Sequence, residues 1–241
     1  MLAGSRVVVV VPAFREEAHV AGVVATMPAF VDAIVLVDDG SPDRTIERAR
    51  SIDDPRLHIE RHPKRRGVGA SLSTGYRRAL ALSHAPTDAL CVMAGDGQMD
   101  PDELEGVALP IVTGAADYVK GDRFHDPSVR RSMGVPRWVG GQVFTRLTSA
   151  AIGQTISDSQ CGFTALARGA AVQIDLDGLW PSFGYPNDLL GQLAARDLRV
   201  AEVPVRPIYA GEISKLRLRH LPPIFWIIGR AAVRRRRRSV A

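Results

Sequence analysis

Arg6-Val7-Val8-Val9-Val10-Val11-Pro12 is an unbroken apolar run closed by a proline. Five consecutive valines show no alternation of apolar and polar residues. Such a segment buries both faces, as an inner strand of a parallel sheet does. Ala33–Val37 and Ala89–Ala94 repeat the pattern, with Leu57–Arg61 and Tyr118–Gly121 as shorter strands. Helical signals fall between them. Glu16–Thr26 spaces Val20, Val23 and Val24 along one face, and Asp43–Ser51 and Val68–Ser83 follow. A further helix runs from about Asp102 to Thr113, with Pro101 at its start. This alternation predicts an open α/β sheet, mostly parallel, with helices on both faces. The second half is less regular. Trp138–Ile152 and Asp188–Arg196 read as helices, Phe163–Ala167 and Val200–Val205 as strands, and His125–Ser128 and Gly178–Pro186 as active-site loops.

The 241 residues suffice for one such domain and a short appendage. Cys91 and Cys161 stand in unrelated contexts, so neither a disulfide framework nor a thiolate zinc site is expected. Neither a signal peptide nor a run of about 20 apolar residues appears, which suggests a cytoplasmic protein. The net charge of +5 is unevenly spread. Lys215, Arg217, Arg219, Arg230 and Arg234 through Arg238 all lie beyond Glu212, the last acid, so the preceding body is mildly acidic. A basic tail on an acidic body argues for a local electrostatic contact and against nucleic acid as a partner.

Ligands in open α/β sheets bind beyond the carboxyl ends of the strands, and the polar clusters fall there. Strand one runs into Pro12-Ala13-Phe14-Arg15-Glu16-Glu17, and strand two into Asp38-Asp39-Gly40-Ser41. Strand four runs into Gly95-Asp96-Gly97-Gln98-Met99-Asp100-Pro101, and strand five into Lys120-Gly121-Asp122-Arg123. An Asp at such a position also commonly caps the next helix. Four clusters on one edge suit a nucleotide sugar, whose base and ribose hydrogen-bond to carboxylates and whose diphosphate takes a cation. A dinucleotide cofactor would need G-x-G-x-x-G after strand one, and none is present.

The ordered series PAFREE, VDDGSPDRT, GVGASLSTGY, GDGQMDP, GDRF, DSQCGF, EVPV and GEISKL resembles family 2 glycosyltransferases, and among them the polyprenol-phosphate hexosyltransferases. The similarity runs from about Arg6 to Leu216. It implies an A-type, Rossmann-like fold with a catalytic domain over 1–216, while the residues of 217–241 themselves predict a basic amphipathic tail with a helix. It implies donor contacts from Pro12, Phe14, Glu16, Asp38, Asp39, Asp96, Gln98, Ser214 and Lys215, and a Mg²⁺ or Mn²⁺ ion at Asp96 and Gln98. It places the acceptor phosphate on Lys120, Arg123 and Arg137. The family's first metal-motif aspartate is Ala94 here, and the usual asparagine of its first motif is Arg15. The implied reaction is an inverting displacement by the acceptor as nucleotide diphosphate leaves, with a donor of the GDP-mannose or UDP-glucose type.

A hydroxyl acceptor must lose a proton during attack and so needs a base. Asp188 occupies the position where hydroxyl-glycosylating relatives carry theirs, and it equally suits a helix's first turn. A lipid phosphate is already anionic and needs cations instead. Leu221–Val233, with Ile224, Phe225, Trp226, Ile227 and Ile228 before five arginines, suits an interfacial helix on an anionic membrane's inner face. Packing of that helix on the domain is the alternative. A saccharide or small-molecule hydroxyl acceptor, and a catalytically weak membrane-attached binding subunit, are the rival functions. A homo-oligomer stays open.

Overall fold

The computed structural model describes residues 1–127, 129, 133–208 and 221–238, the side chains of 136, 137 and 236–238 excepted. The described strands are β1 (Val7–Ala13), β2 (Ala33–Asp38), β3 (Leu57–Arg61), β4 (Ala89–Val92), β5 (Tyr118–Asp122), β6 (Thr164–Ala167) and β7 (Val200–Pro204). They form one sheet in the order β3-β2-β1-β4-β6-β5-β7. All pairings are parallel except the two made by β6. The valines of β1 are wholly buried, as their unbroken run required. Because β5 and β7 run with β1–β4, their carboxyl ends open onto the same edge.

The described helices are α1 (Val20–Ala25), α2 (Thr45–Arg50), α3 (Val68–Leu82), α4 (Leu104–Val112), α5 (Val135–Ile152), α6 (Arg168–Ala171), α7 (Tyr185–Ala194) and α8 (Leu221–Arg238). Two expected helices are shorter than their sequence signals. Glu16–His19 forms a turn before α1, and Pro101–Glu103 is a 3₁₀ turn opening α4. Asp100 caps that turn by accepting from the Asp102 amide at 3.0 Å.

Two glycines let α3 approach its neighbours. Gly75 lies directly on Val10 of β1, and Gly69 on the Trp180 carbonyl, where any Cβ would clash. The Ala70 amide also donates to the Pro181 carbonyl at 3.1 Å. The loop before α7 is thereby fixed to the first turn of α3.

Within the stretch read from sequence as an appendage, α8 contributes a packed face to the same core. Ile224, Ile227, Ile228 and Ala231 of α8 are buried. Gly184 and Gly191 leave the room, since a Cβ on Gly191 would lie 2.6 Å from that of Ala231. The guanidinium of Arg235 reaches the Ala150 carbonyl near the end of α5 at 3.4 Å. Phe225, Trp226 and Val233 remain exposed on the outer face.

Candidate active site

The carboxyl ends of β1, β2 and β4 are stitched together. The Asp39 amide donates to the Ala13 carbonyl at 2.9 Å, and the Gly95 amide to Pro12 at 3.1 Å. This brings Pro12, Phe14, Asp38 and the Asp96 turn to one edge. Asp38 is buried; it accepts from the Ser41 amide at 3.1 Å and faces the Arg61 guanidinium at 3.3 Å. Glu16 is buried, with its amide donating to Thr45 Oγ1. Arg15 has a left-handed backbone (φ 59°), held by its amide on Ser41 Oγ. Asparagine tolerates that conformation better than arginine, a physical reason for the family's usual residue there. Arg15 and Arg65 both lie over the Phe14 ring, 5.5 and 4.2 Å from its centre.

Asp39 was expected to touch the donor, but its carboxylate is committed elsewhere. It takes the Arg66 and Gly67 amides and His62 Nδ1, each at 2.8 Å, while His62 Nε2 meets Thr74 at 3.0 Å. Asp39 therefore shapes the turn that opens α3.

Asp96 and Gln98 lie in a tight turn, with Gly97 at φ 72° and the Gln98 amide donating to Asp96 at 3.2 Å. Among the described residues, no three His, Cys, Asp or Glu side chains converge as a metal site. Asp96 therefore belongs to no cluster of three such ligands among the described residues. That donor set fits a Mg²⁺ or Mn²⁺ ion held mainly by substrate phosphates and water, since Mg²⁺ commonly uses one or two carboxylates.

A second cluster, at the carboxyl end of β5, is built around Arg123. Its guanidinium grips the buried Asp158 through Nε at 2.6 Å and Nη2 at 3.0 Å. Burial alone would raise the Asp158 pKa, but Arg123 and Lys120 outweigh it and hold the group below the usual range. Lys120, expected to bind the acceptor phosphate, is wholly buried, and its ammonium donates to the Cys161 carbonyl at 2.6 Å. Burial lowers its pKa. It supports the floor of the site instead of lining it. Gln98, Met99, Arg123, Gly162, Phe163 and Arg206 are among the residues lining a small cleft of about 40 Å³ at this point.

Asp188 also departs from expectation. It is wholly buried and accepts from Arg230 Nη2 at 2.5 Å, Arg234 Nη1 at 2.6 Å and the Trp180 amide at 2.9 Å. A carboxylate held by two guanidiniums and an amide is poorly placed to take a substrate proton. The same junction sets Trp180 against Trp226 in a tilted contact, 5.9 Å between centres. Ser214, Lys215 and the Arg137 side chain lie outside the described residues.

Sequence reasoning missed Asp158, Arg206 and the partners of Asp188. Asp158 stood within the DSQCGF motif, which was a usable signal, but its pairing with Arg123 spans 35 residues. Arg206 directly follows a strand ending on the active edge. Nothing in the sequence linked Arg230 to Asp188.

The glycosyl transferase family 2 model matches residues 8–174, and the chain belongs to that family. It is a glycosyltransferase of A-type fold. Among its relatives is a UDP-N-acetylglucosamine–dolichyl-phosphate N-acetylglucosaminyltransferase of Methanococcus voltae, 25% identical over 86% of this chain and 88% of that protein. A dolichyl-phosphate hexose transferase of Haloferax volcanii is 30% identical over 82% and 80%. The polyprenol monophosphomannose synthase of Mycolicibacterium smegmatis is 28% identical over 83% and 76%. Among solved structures, a glucosyl-3-phosphoglycerate synthase from Mycobacterium tuberculosis, in complex with Mn²⁺, UDP and phosphoglyceric acid, matches with TM-score 0.68 and 19% identity over 97% and 79%. That similarity concerns the fold.

Proposed function

We propose that this enzyme transfers a hexose from a nucleotide sugar to a polyprenyl phosphate at a membrane surface. The observation that carries the reading is the capture of Asp188 by Arg230 and Arg234. The carboxylate expected to deprotonate a hydroxyl acceptor is already bound, whereas a phosphate oxygen attacks without a base. Three relatives named for dolichyl or polyprenol acceptors support the same choice.

In this mechanism Asp38, Phe14 and Glu16 hold the nucleoside, and Asp96 with Gln98 faces the diphosphate. A divalent cation held there would offset charge on the leaving diphosphate. Arg123, oriented by Asp158, holds the acceptor phosphate for attack on the anomeric carbon with inversion. The arginine needs no proton transfer. It supplies position and charge, and its bidentate anchor removes the cost of ordering a long side chain during reaction.

The membrane side of the proposal rests on α5 and α8. Val135, Val139, Val143 and Leu147 are exposed at four-residue intervals along α5. Phe144 of α5 meets Phe225 of α8 at 5.5 Å, joining that row to the exposed Phe225 and Trp226. Neither helix contains an acid. An apolar row with cations beside it suits an anionic lipid surface. No described helix is long and apolar enough to cross a membrane, so the contact is peripheral. Incubating the enzyme with labelled UDP- and GDP-sugars and a prenyl phosphate tests the reaction; label in a prenyl phosphate sugar is the expected result.

A further inference from the structure

Arg206 belongs to none of the groups assigned so far, yet its backbone is tethered on several sides. Its amide donates to both Glu103 oxygens, at 2.8 and 3.1 Å. The preceding Val205 amide donates to the Asp122 carbonyl at 3.1 Å, and the Ile208 amide to Gln98 at 2.9 Å. Pro207 forms a bridge with Met99. The chain leaving β7 is thus sewn to the end of β5 and to the turn that carries Asp96 and Gln98. Tethers on opposite sides fix where the Arg206 side chain starts. It lines the cleft that Arg123 also lines, and a neighbouring one with Glu103, His125 and Asp126.

Arg206 is exposed, and among the described residues its guanidinium forms no ion pair within 4 Å, its nearest electrostatic partner being the Glu103 carboxylate that takes its amide. Arg123, by contrast, is half of a pair with Asp158. The two differ in what they can offer. Much of the charge of Arg123 is already balanced by a buried carboxylate, so alone it matches one anionic oxygen. A phosphate monoester near neutral pH carries more than one charge, and its tetrahedral oxygens can meet cations from two directions.

We propose that Arg206 is a second acceptor-phosphate ligand and determines preference for a phosphate monoester. Arg123 holds one edge of the phosphate and Arg206 another. The inference deepens the proposed reaction and rests on it for the identity of the acceptor, though anion binding is measurable alone.

The test is calorimetry on the full-length chain saturated with UDP or GDP. The probes are citronellyl phosphate, a short water-soluble prenyl monoester, and citronellyl methyl phosphate, its singly charged ester. The wild-type protein should bind the monoester more tightly than the methyl ester. Arg206→Gln should weaken monoester binding about tenfold, or about 1.4 kcal/mol, and bring the two affinities close together. Arg206→Lys should recover part of the preference. A structural loss would weaken both probes alike and lower the melting temperature, and either result overturns the proposal. So does an Arg206→Gln variant that keeps wild-type preference. If the wild-type enzyme binds the monoester through Arg206 but never transfers sugar to it, the anion site stands and the proposed reaction falls.

Discussion

Replacing Asp188 with Asn separates an anchor from a base. The carboxylate is wholly buried, and its partners Arg230 and Arg234 are 28% and 31% exposed. Removing one member of a buried ion pair costs about 3–5 kcal/mol, because the remaining charge is left unpaired. Here the arginines can turn partly to water, so the lower side applies, about 2–3 kcal/mol. The asparagine oxygen can still accept from the Trp180 amide, which limits the loss further. For a chain of this size each kcal/mol shifts the melting temperature by roughly 2–4 °C, giving a fall of about 4–12 °C. A large share should be non-additive with Arg230→Met and Arg234→Met, since all three act through one contact. The assay is thermal unfolding by circular dichroism alongside transfer rates measured well below the transition. Turnover should stay within about tenfold of wild type, because a general base contributes roughly 10²–10⁴-fold and none is lost. An Asp188→Asn protein that melts like wild type but loses more than a hundredfold in turnover would refute the anchor reading and restore the base.

Asp96→Ala should abolish transfer with the fold intact, and EDTA should silence the wild-type enzyme; full activity in excess chelator would exclude a divalent ion. Asp38→Ala should weaken nucleoside diphosphate binding, read by calorimetry, by about 1–3 kcal/mol for a lost buried acceptor. Phe225→Ser with Trp226→Ser should release the protein from anionic vesicles in flotation while the melting temperature holds, since both side chains are exposed. Deleting 221–241 should instead unfold or destabilise the domain, because α8 seats Ile224 and Ile228 in the core. Asp158 is held below the ordinary aspartate range, so its contribution is present above that range and lost as pH falls through the lowered value. The melting-temperature gap between wild type and Asp158→Asn should therefore persist at pH about 4, the ordinary aspartate value, and close only in stronger acid.

The parallel sheet was legible because its inner strands are wholly buried and read as continuous apolar runs, above all Val7–Val11. The candidate donor residues were legible because strand ends in such a sheet share an edge. Asp39 and Lys120 misled for one reason: sequence places a residue at an edge but does not show whether it faces the ligand or the protein beneath. The Asp39 carboxylate turned inward to three donors, and Lys120 to a carbonyl. The dual character of α8 was half legible. Its apolar and arginine content suited a membrane surface, but the buried face depends on Gly184 and Gly191, distant in sequence. Pairing of Asp188 with Arg230 spans 42 residues and leaves no local signature.

The central claim is that the acceptor is a phosphate. It is tested most directly by offering the enzyme a prenyl phosphate and the matching prenol together, with labelled UDP- and GDP-sugars and Mg²⁺ or Mn²⁺. The account predicts label only in the prenyl phosphate sugar, in the inverted anomeric configuration. Transfer to a prenol or saccharide hydroxyl, with the phosphate left unmodified, would contradict it.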